Sequence, residues 1–346
     1  MARQILSISD IGSVFINKLN SLFEELYSKH ETASYDDRAC LKRFVDEMNT
    51  KAALLGMTNT TFYDPVGLQP IEAIPGINLS GYPGVFSIED HNSTTAMDVL
   101  RMLIYASGLQ HINDAWNIPS FTLNFMRNLS EITATINSSV YISATYQASI
   151  DALLNDYEIL GGKTGTWGYS PYSAYHLAII ARSRTTGKIY AVVDMSTSTA
   201  NSASDNRFKD AKKALDYVDS GGTNPSFSKG GCVVAELTPY TPSMFNRADI
   251  SLRYEYGKNT NIHPASVSKI MTAILLCDNV LDLNQKVTIH KADRLPPSGY
   301  NFVAGDIVTL RNLLQCMLTE SSNTSAMVIA RVVGSILLDR DNNVMN

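Results

Sequence analysis

Several patterns that would reveal a membrane span, a metal site or a nucleic-acid partner are missing from this chain of 346 residues. It has no run of about 18 uninterrupted apolar residues, so no membrane span is expected. Its net charge is −5 and its basic residues are scattered, which argues against nucleic acid as the main partner. Its six histidines form no HExxH-like pair, so no metal or other cofactor is expected.

Cysteine is scarce, and a recognisable export signal is missing. The chain has four cysteines, Cys40, Cys232, Cys277 and Cys316. They show no CxxC spacing and no clustering with histidine, so we interpret them as small buried apolar side chains. The N-terminal stretch MARQILSISDIGSVF has one early arginine but no long apolar core and no small-residue cleavage site. It is therefore a poor signal peptide.

What is present is the composition of a soluble globular enzyme, with 45% hydrophobic and 18% charged residues. The length is sufficient for a large core and suggests two lobes. Helical periodicity predicts helices over residues 10–29, 36–55 and 93–107, the last with Ser93 or Thr94 as its N-cap.

Beyond about residue 120 the pattern becomes that of β-strands. The apolar runs YHLAIIARS and KIYAVVDMS are joined by residues 184–187, which predicts a hairpin. A helix is predicted over residues 205–219, followed by the Gly/Ser-rich segment GGTNPSFSKGG, which has the composition of a flexible joint. Two more strands, CVVAEL and ISLRYEYG, lead into a helix that begins at Pro264. Further helices are predicted over residues 309–319 and 324–337.

Ser266 and Lys269 form an SxxK motif at the start of that apolar helix. A serine hydroxyl is a weak nucleophile unless a nearby base removes its proton. Residues three apart lie on the same helix face, so Lys269 can reach Ser266 and act as that base. The helix N-terminus favours developing negative charge, and a desolvated lysine can have its pKa lowered enough to act as a base. A second SxxK match, from Ser226 to Lys229, is followed by two glycines and cannot open a helix, so we reject it.

Two further motifs could complete a site. Residues 163–165 read Lys-Thr-Gly just before a strand; alone they are more typical of a turn. As an edge strand they would pair with an extended peptide, while Gly165 lets two backbones approach closely. Ser321 and Asn323 form an SxN motif 55 residues after Ser266, between two predicted helices. The similar Ser-Asp-Asn at 204–206 is better interpreted as the N-cap of the helix that follows it.

Together the three motifs resemble the penicillin-recognising serine enzymes. The flanking segments extend the resemblance to the D-alanyl-D-alanine carboxypeptidases, the low-molecular-mass penicillin-binding proteins. These segments are MNTKAALLGMTNTTFYDPVGLQ, NSTTAMDVLRML and GYNFVAGDIVTLRNLLQCMLTESSN. The likeness covers most of residues 36–220 and 231–335. It implies an α/β (α+β) fold, with a five-stranded antiparallel sheet flanked by helices plus an all-helical lobe.

The resemblance also implies catalytic roles. Ser266 would be the acylated nucleophile and Lys269 its general base. Ser321 would relay a proton to the leaving D-alanine, and Asn323 would orient Lys269 and the substrate amide.

Substrate-binding roles follow in the same way. Lys163 and Thr164 would hold the terminal carboxylate, and Arg207 lies where the family often has a carboxylate-binding arginine. The backbone N–H groups of Ser266 and Thr166 would form the oxyanion hole.

The implied activity is that of a serine D,D-carboxypeptidase, which removes the terminal D-Ala from peptidoglycan peptides through an acyl-enzyme and is acylated by β-lactams. Its partners would be peptidoglycan stem peptides and β-lactams on the extracytoplasmic side, with no membrane association encoded in this chain.

Two alternative functions stay open. One is a serine β-lactamase or esterase on the same fold, which would need a deacylating base such as Glu158 or Glu320. The other is a non-catalytic penicillin-binding sensor.

The motifs run in an unusual order, because KTG precedes SxxK. Cutting the chain at about residue 225 and moving the second part forward restores the order of the family. We therefore expect a circular permutation in which the Gly/Ser-rich segment joins the old termini; the ancestral signal position would then lie near residue 225. A natural or engineered permutant, or a piece cut across tandem catalytic domains, would have this order.

In this view residues 1–346 form a single catalytic domain of two lobes. Its segments are 1–115 (mainly helical), 116–220 (sheet with the KTG strand), 221–231 (joint), 232–262 (further strands) and 263–346 (nucleophile helix and helical lobe). Residues 1–35 have no clear counterpart in the family.

Overall fold

A five-stranded antiparallel sheet lies at the centre of the computed structural model of this chain. The structure describes residues 36–67, 91–109, 144–169, 172–198, 206–227, 230–238, 250–295, 298–300 and 302–344. The helix predicted over residues 10–29 lies outside these ranges.

The sheet follows the chain order from one edge to the other. Its strands are β1 (Tyr157–Tyr169), β2 (Tyr172–Ser183), β3 (Ile189–Ser198), β4 (Gly231–Leu237) and β5 (Ser251–Tyr256). They pair in the order β1-β2-β3-β4-β5, and every pairing is antiparallel. The five-stranded antiparallel sheet implied by the resemblance is therefore confirmed, and β1, which carries the Lys-Thr-Gly motif, lies at one edge.

Both faces of the sheet are covered, which explains the nearly continuous apolar sequence of β2 and β3. Along β2, Leu177 and Ile179 belong to one core cluster, while Ala178 and Ile180 belong to the other. This alternation follows from the two-residue period of a strand. The predicted hairpin between β2 and β3 is confirmed, and Gly187 in its turn has a φ of 72°, a value that favours glycine.

Helices form the outer layers. Those described are α1 (Asp37–Leu54), α2 (Ala96–Ser107), α3 (Ala144–Asp156), α4 (Arg207–Ser220), α5 (Lys269–Asn279), α6 (Leu310–Thr319) and α7 (Asn323–Val344). Apolar side chains of α3 and α4 cover one face of the sheet, and α1, α2, α5, α6 and α7 share the larger core on the other face. A small ribbon of β6 (Lys286–Thr288) and β7 (Ile307–Thr309) lies outside the main sheet. Within the described ranges, none of these helices could cross a membrane.

Local details differ from the sequence-based expectations. The N-cap of α2 is Thr95, whose side chain accepts a hydrogen bond from the Asp98 N–H. Ser93 and Thr94 do not cap it, because they are held in β-bridges to Thr61 and Ile262. The helix predicted over residues 324–337 begins at residue 323 and continues to residue 344.

The expectation that the four cysteines are buried is correct for only two of them. Cys40 and Cys232 are buried, whereas Cys277 and Cys316 are half-buried, because they lie at the margin of the larger core rather than inside it. All four are free thiols.

The first and last described helices, α1 and α7, contact each other closely. A Cβ at Gly334 of α7 would lie 2.0 Å from the carbonyl oxygen of Cys40 in α1. An ion pair of 2.6 Å joins Arg43 of α1 to Asp341 of α7. Glycine is therefore required at residue 334 for this helix contact, and the ends of the described chain meet in one layer.

Gly334→Ala is expected to lower the free energy of unfolding by about 1–3 kcal/mol, because the clash is with backbone and no rotamer change relieves it. The gain in helix propensity of about 1 kcal/mol is too small to reverse this. Urea unfolding measures the effect. Ser335→Ala, the neighbouring half-buried position, is the control and should stay within about 0.5 kcal/mol of the wild type. Equal stability of the two variants would contradict the close contact.

Candidate active site

Ser266 lies in a short turn immediately before α5. The turn, Ala265–Ser268, is a 3-10 helix, and α5 begins at Lys269, so the expectation that Ser266 opens an α-helix is wrong in detail. A 3-10 helix has three residues per turn, so side chains three apart lie directly above one another. Lys269 Nζ consequently lies 2.8 Å from Ser266 Oγ and donates to it.

The SxN residues meet the same lysine from the junction between α6 and α7. Lys269 Nζ donates to Asn323 Oδ1 at 2.7 Å and contacts Ser321 Oγ at 3.2 Å. Lys269 is fully buried, whereas Ser266 and Ser321 are partly exposed. The lysine therefore lies beneath two hydroxyl groups that solvent or a substrate can reach.

The Lys-Thr-Gly motif reaches this cluster from β1. The motif lies inside the strand and not before it, because β1 pairs with β2 along its whole length. Lys163 Nζ donates to Ser321 Oγ at 3.1 Å and to the Thr164 carbonyl at 2.9 Å. A Cβ at Gly165 would lie 2.9 Å from the Pro264 carbonyl oxygen, so glycine allows the strand to lie against the nucleophile turn.

Arg207, the first residue of α4, is buried behind the strand. Its Nη1 donates to the carbonyl oxygens of Gly165 and His176, at 3.1 and 3.2 Å. Its Nη2 donates to Thr166 Oγ1 at 2.9 Å, and its guanidinium lies over the Tyr175 ring, 5.2 Å from the centroid. Arg207 thus holds β1, β2 and α4 together, and it reaches the exposed side of the strand through Thr166.

Burial makes both site lysines easier to deprotonate. The pKa of Lys163 is lowered to about 7, first by burial and second by the charge of Arg207. Burial also lowers the pKa of Lys269 well below its usual value, and the charge of Lys163 adds to this. The carboxylate of Asp64 acts in the opposite direction. Two cations in one buried cluster disfavour each other, so one of them can accept a proton near neutral pH.

The backbone is strained at the two hydroxyl-bearing segments. Among the described residues, Ala265 and Ser321 are the non-glycine positions with positive φ, at 48° and 61°. Such conformations cost about 1–3 kcal/mol each, and they cluster at functional sites where the surrounding structure enforces them. Their coincidence with SxxK and SxN supports the interpretation of this cluster as a site.

Sequence reasoning missed the residues that brace the nucleophile turn. Asp64 Oδ1 accepts hydrogen bonds from the N–H groups of Val66 and Gly67. A Cβ at Gly67 would lie 1.9 Å from the Ala265 carbonyl oxygen, and Asn92 Nδ2 donates to Ser268 Oγ at 3.0 Å. These residues lie in two of the segments on which the family resemblance was based. The resemblance therefore marked the segments, but it assigned no role to these residues.

His176 was missed as well, and nothing in the sequence distinguishes it from an ordinary strand residue. It is fully buried on β2, opposite Gly165, and its Nε2 lies 2.8 Å from the His263 carbonyl oxygen. His263 precedes Ser266 by three residues, so this contact ties the strand pair to the nucleophile turn.

The two rejected motif matches lie only partly within the described residues. Ser226 lies in irregular chain and begins no helix, while Lys229, Ser204 and Asp205 lie outside the described residues. Asn206 occupies the N-cap position of α4, but its side chain makes no capping hydrogen bond.

The two proposed deacylating glutamates differ in position. Glu158 forms an ion pair of 2.8 Å with Arg182. It precedes Lys163 by five residues on β1, so the two residues are roughly 15 Å apart along the strand. Glu320 is exposed at the C-cap of α6, next to Ser321. Within the part of the chain that the structure describes, no group of three or more His, Cys, Asp or Glu side chains could hold a metal ion.

Comparison with known families identifies one segment of the chain. The family model Beta-lactamase2, described as the beta-lactamase enzyme family, matches residues 243–339, which include the SxxK and SxN motifs. The match covers less than a third of the chain and excludes the Lys-Thr-Gly strand. It indicates a β-lactamase-like serine hydrolase acting on β-lactam-like substrates, and the mixed α/β fold with its antiparallel sheet fits this family. No curated protein and no solved structure matches the chain.

Lys163→Met is expected to change how stability depends on pH. Between pH of about 7 and the ordinary lysine pKa of 10.5, the unfolded chain binds a proton at Lys163 that the folded chain does not. The unfolding free energy of the wild type therefore gains a contribution that rises with pH across this window, and the methionine variant lacks it. Urea unfolding at two pH values within the window should show the wild type gaining on the variant at the higher pH.

Lys188→Met, at an exposed position, is the control for the loss of a lysine. A wild-type advantage that is the same at both pH values, or that changes equally for the control, would contradict a lowered Lys163 pKa.

Proposed function

We propose that the chain is a serine D,D-carboxypeptidase that removes the terminal D-Ala from D-Ala-D-Ala peptides of peptidoglycan. The observation that carries the proposal is the position of Ser321 Oγ, which lies 3.1 Å from Lys163 Nζ and 3.2 Å from Lys269 Nζ. This hydroxyl connects the residue that would bind a carboxylate with the residue that would deprotonate Ser266. A terminal carboxylate next to the scissile bond is the feature that a carboxypeptidase must recognise.

In the acylation step, Ser266 Oγ would attack the carbonyl carbon of the penultimate D-Ala while Lys269 accepts the hydroxyl proton. The N–H groups of Ser266 and Thr166 would stabilise the oxyanion that forms. When the amide C–N bond breaks, Ser321 would donate its proton to the leaving nitrogen and recover one from Lys269. The products are an ester at Ser266 and free D-alanine. Water then hydrolyses the ester and regenerates the hydroxyl.

Substrate binding would use the edge of the sheet. Beside β1, an extended peptide can form main-chain hydrogen bonds with an edge strand. Its terminal carboxylate would meet the Lys163 ammonium and the Thr164 side chain, with Arg207 adding positive charge from behind. Such stem peptides, like β-lactams, lie outside the cytoplasmic membrane, and we place the protein there on the basis of its substrate.

A β-lactamase is the second candidate, and the description of the matched family favours it. It requires a base that activates water against the acyl-enzyme. Asp64 is the buried carboxylate whose charge acts on Lys269, but its Oδ1 already accepts hydrogen bonds from Val66 and Gly67. This engagement makes rapid deacylation the less favoured function. A non-catalytic penicillin-binding sensor would keep the same cluster without turnover.

We also infer a circular permutation, and the order of the motifs is what supports it. The edge strand β1, which carries Lys-Thr-Gly, comes before β4 and β5, and these two strands precede the SxxK motif. The chain passes from α4 to β4 through the Gly/Ser-rich segment, as expected for joined ancestral termini. At the other point of the rearrangement, α1 and α7 pack against each other through Gly334 and the pair formed by Arg43 and Asp341. A segment cut across tandem domains would combine the same pieces.

Fluorescent penicillin is expected to label the wild type covalently, and Ser266→Ala should abolish labelling because no nucleophile remains. Ser226→Ala, in the rejected SxxK match, is the control and should label like the wild type. Release of D-alanine from a peptide ending in D-Ala-D-Ala should accompany labelling and disappear in Ser266→Ala.

The same experiment separates the alternatives. Labelling without D-alanine release indicates the sensor, and rapid hydrolysis of penicillin indicates the β-lactamase. Labelling that persists in Ser266→Ala overturns the assignment of the nucleophile.

Arg207→Gln is expected to move the alkaline limb of the pH profile for penicillin acylation to higher pH. The charge of Arg207 helps to lower the pKa of Lys163, so its removal raises that pKa and Lys163 keeps its proton to higher pH. The second-order acylation constant, measured across pH, reports the free enzyme. Arg182→Gln, an exposed arginine on β2, is the matched control. An alkaline limb that stays in place in Arg207→Gln would exclude this coupling.

A further inference from the structure

His176 is a buried polar residue to which the proposed mechanism assigns no role. It lies on β2 directly opposite Gly165 of the Lys-Thr-Gly strand. On the same face of β2, Ala178 and Ile180 contribute to the core that contains the nucleophile helix α5. The imidazole is therefore directed toward the layer that carries Ser266 and away from the layer of α3 and α4.

The side chain makes a defined contact with that layer. His176 Nε2 lies 2.8 Å from the carbonyl oxygen of His263. A carbonyl oxygen can only accept, so Nε2 carries the proton and donates it. Burial lowers the pKa of His176 to about 3, with the charge of Arg207 adding to the effect, so the ring is neutral throughout the physiological range. The contact is thus a permanent hydrogen bond and not a titrating one.

The acceptor lies at the entry to the strained turn. His263 is followed by Pro264 and by Ala265, whose φ of 48° is unfavourable for a residue with a Cβ. The imidazole Nδ1 of His263 accepts a hydrogen bond from the Ala265 N–H at 3.1 Å. Fixing the His263 carbonyl therefore fixes the orientation of the chain as it enters the turn that presents Ser266.

The backbone of His176 belongs to the opposite side of the site. Its carbonyl oxygen and that of Gly165 both accept from Arg207 Nη1. One residue consequently links the Lys-Thr-Gly strand, Arg207 and the nucleophile turn. The two N–H groups of the proposed oxyanion hole are divided between these parts, with Thr166 on the strand and Ser266 on the turn.

We propose that His176 is a positioning residue whose bond to the His263 carbonyl sets the separation of the Ser266 and Thr166 N–H groups, and thereby the rate of acylation. The inference rests on the proposed function, since it presupposes an acyl transfer at Ser266. His176 itself does not touch the reacting atoms.

Loss of this bond should affect the chemical step more than binding. An oxyanion develops only as the bond to Ser266 forms, so misplaced N–H donors weaken the transition state and leave the noncovalent complex largely unchanged. His176→Leu should lower the first-order acylation constant for a chromogenic penicillin by about 10- to 100-fold, with the dissociation constant of the initial complex within about threefold of wild type. His176→Gln can place an N–H close to the position of Nε2, and it should recover most of the rate.

Ile179→Ala is the matched control. Ile179 is fully buried on the same strand but faces the opposite core, away from the nucleophile turn. This variant should lower the melting temperature at least as much as His176→Leu while keeping the wild-type acylation constant. If His176→Leu does not fold, His176→Asn takes its place, because the shorter amide ends before the His263 carbonyl and should stay slow where glutamine is rescued.

Three results would overturn the inference: an unchanged acylation constant in His176→Leu or its asparagine substitute, an equal loss of rate in Ile179→Ala, or no recovery in His176→Gln. Failure of the proposed function is distinguishable from these, since the wild type itself would then not be acylated at Ser266. Stopped-flow acylation of the wild type and the variants, with their melting temperatures, measures all of these quantities.

Discussion

A single buried amino group connects the parts of this protein. Lys269 Nζ lies within hydrogen-bond distance of Ser266, Ser321 and Asn323, which come from the turn before α5 and the junction of α6 and α7. Burying a charged amino group away from water costs free energy. Two features offset this cost at Lys269: hydrogen-bond partners surround the amino group, and its lowered pKa lets it lose its proton easily. If these partners separated, the amine would be left without hydrogen bonds in the core. The cluster therefore constrains the structure as well as the chemistry.

The geometry of the site is energetically unfavourable in itself, and contacts with the surrounding residues maintain it. Ala265 and Ser321 have positive φ values, and the buried amino groups of Lys163 and Lys269 repel each other whenever both are protonated. The surrounding packing holds these groups in place. Gly67 lies against the Ala265 carbonyl, His176 holds the turn from the side of the sheet, and Arg207 ties β1 to its neighbours. These contacts hold the strained turn and the buried lysines in the geometry that the proposed reaction requires.

The motifs and the elements that bear them were predictable to a large extent. Apolar periodicity located α1, α2, α4 and the β2–β3 hairpin to within a few residues, since burial of one face leaves a regular trace in the sequence. The errors were local ones, such as the N-cap of α2 and the 3-10 turn at Ser266, where competing hydrogen bonds decide the boundary. Residues 1–35 and 204–205 lie outside the described ranges. The helix over residues 10–29 and the N-cap role of Ser204 and Asp205 therefore stay predictions.

The amino-acid sequence is sufficient to show which chemical groups are available: a serine with a lysine three residues later, a Lys-Thr-Gly segment and an SxN segment. The tertiary structure alone decided that these three segments, more than a hundred residues apart at their extremes, meet at Ser321 Oγ. It also recruited His176 and Asn92, which no spacing rule identifies. The physical reason is that motif spacing records contacts within one helix or strand, whereas these contacts arise where separate elements pack against one sheet. The distances between those elements are set by the core and not by the local sequence.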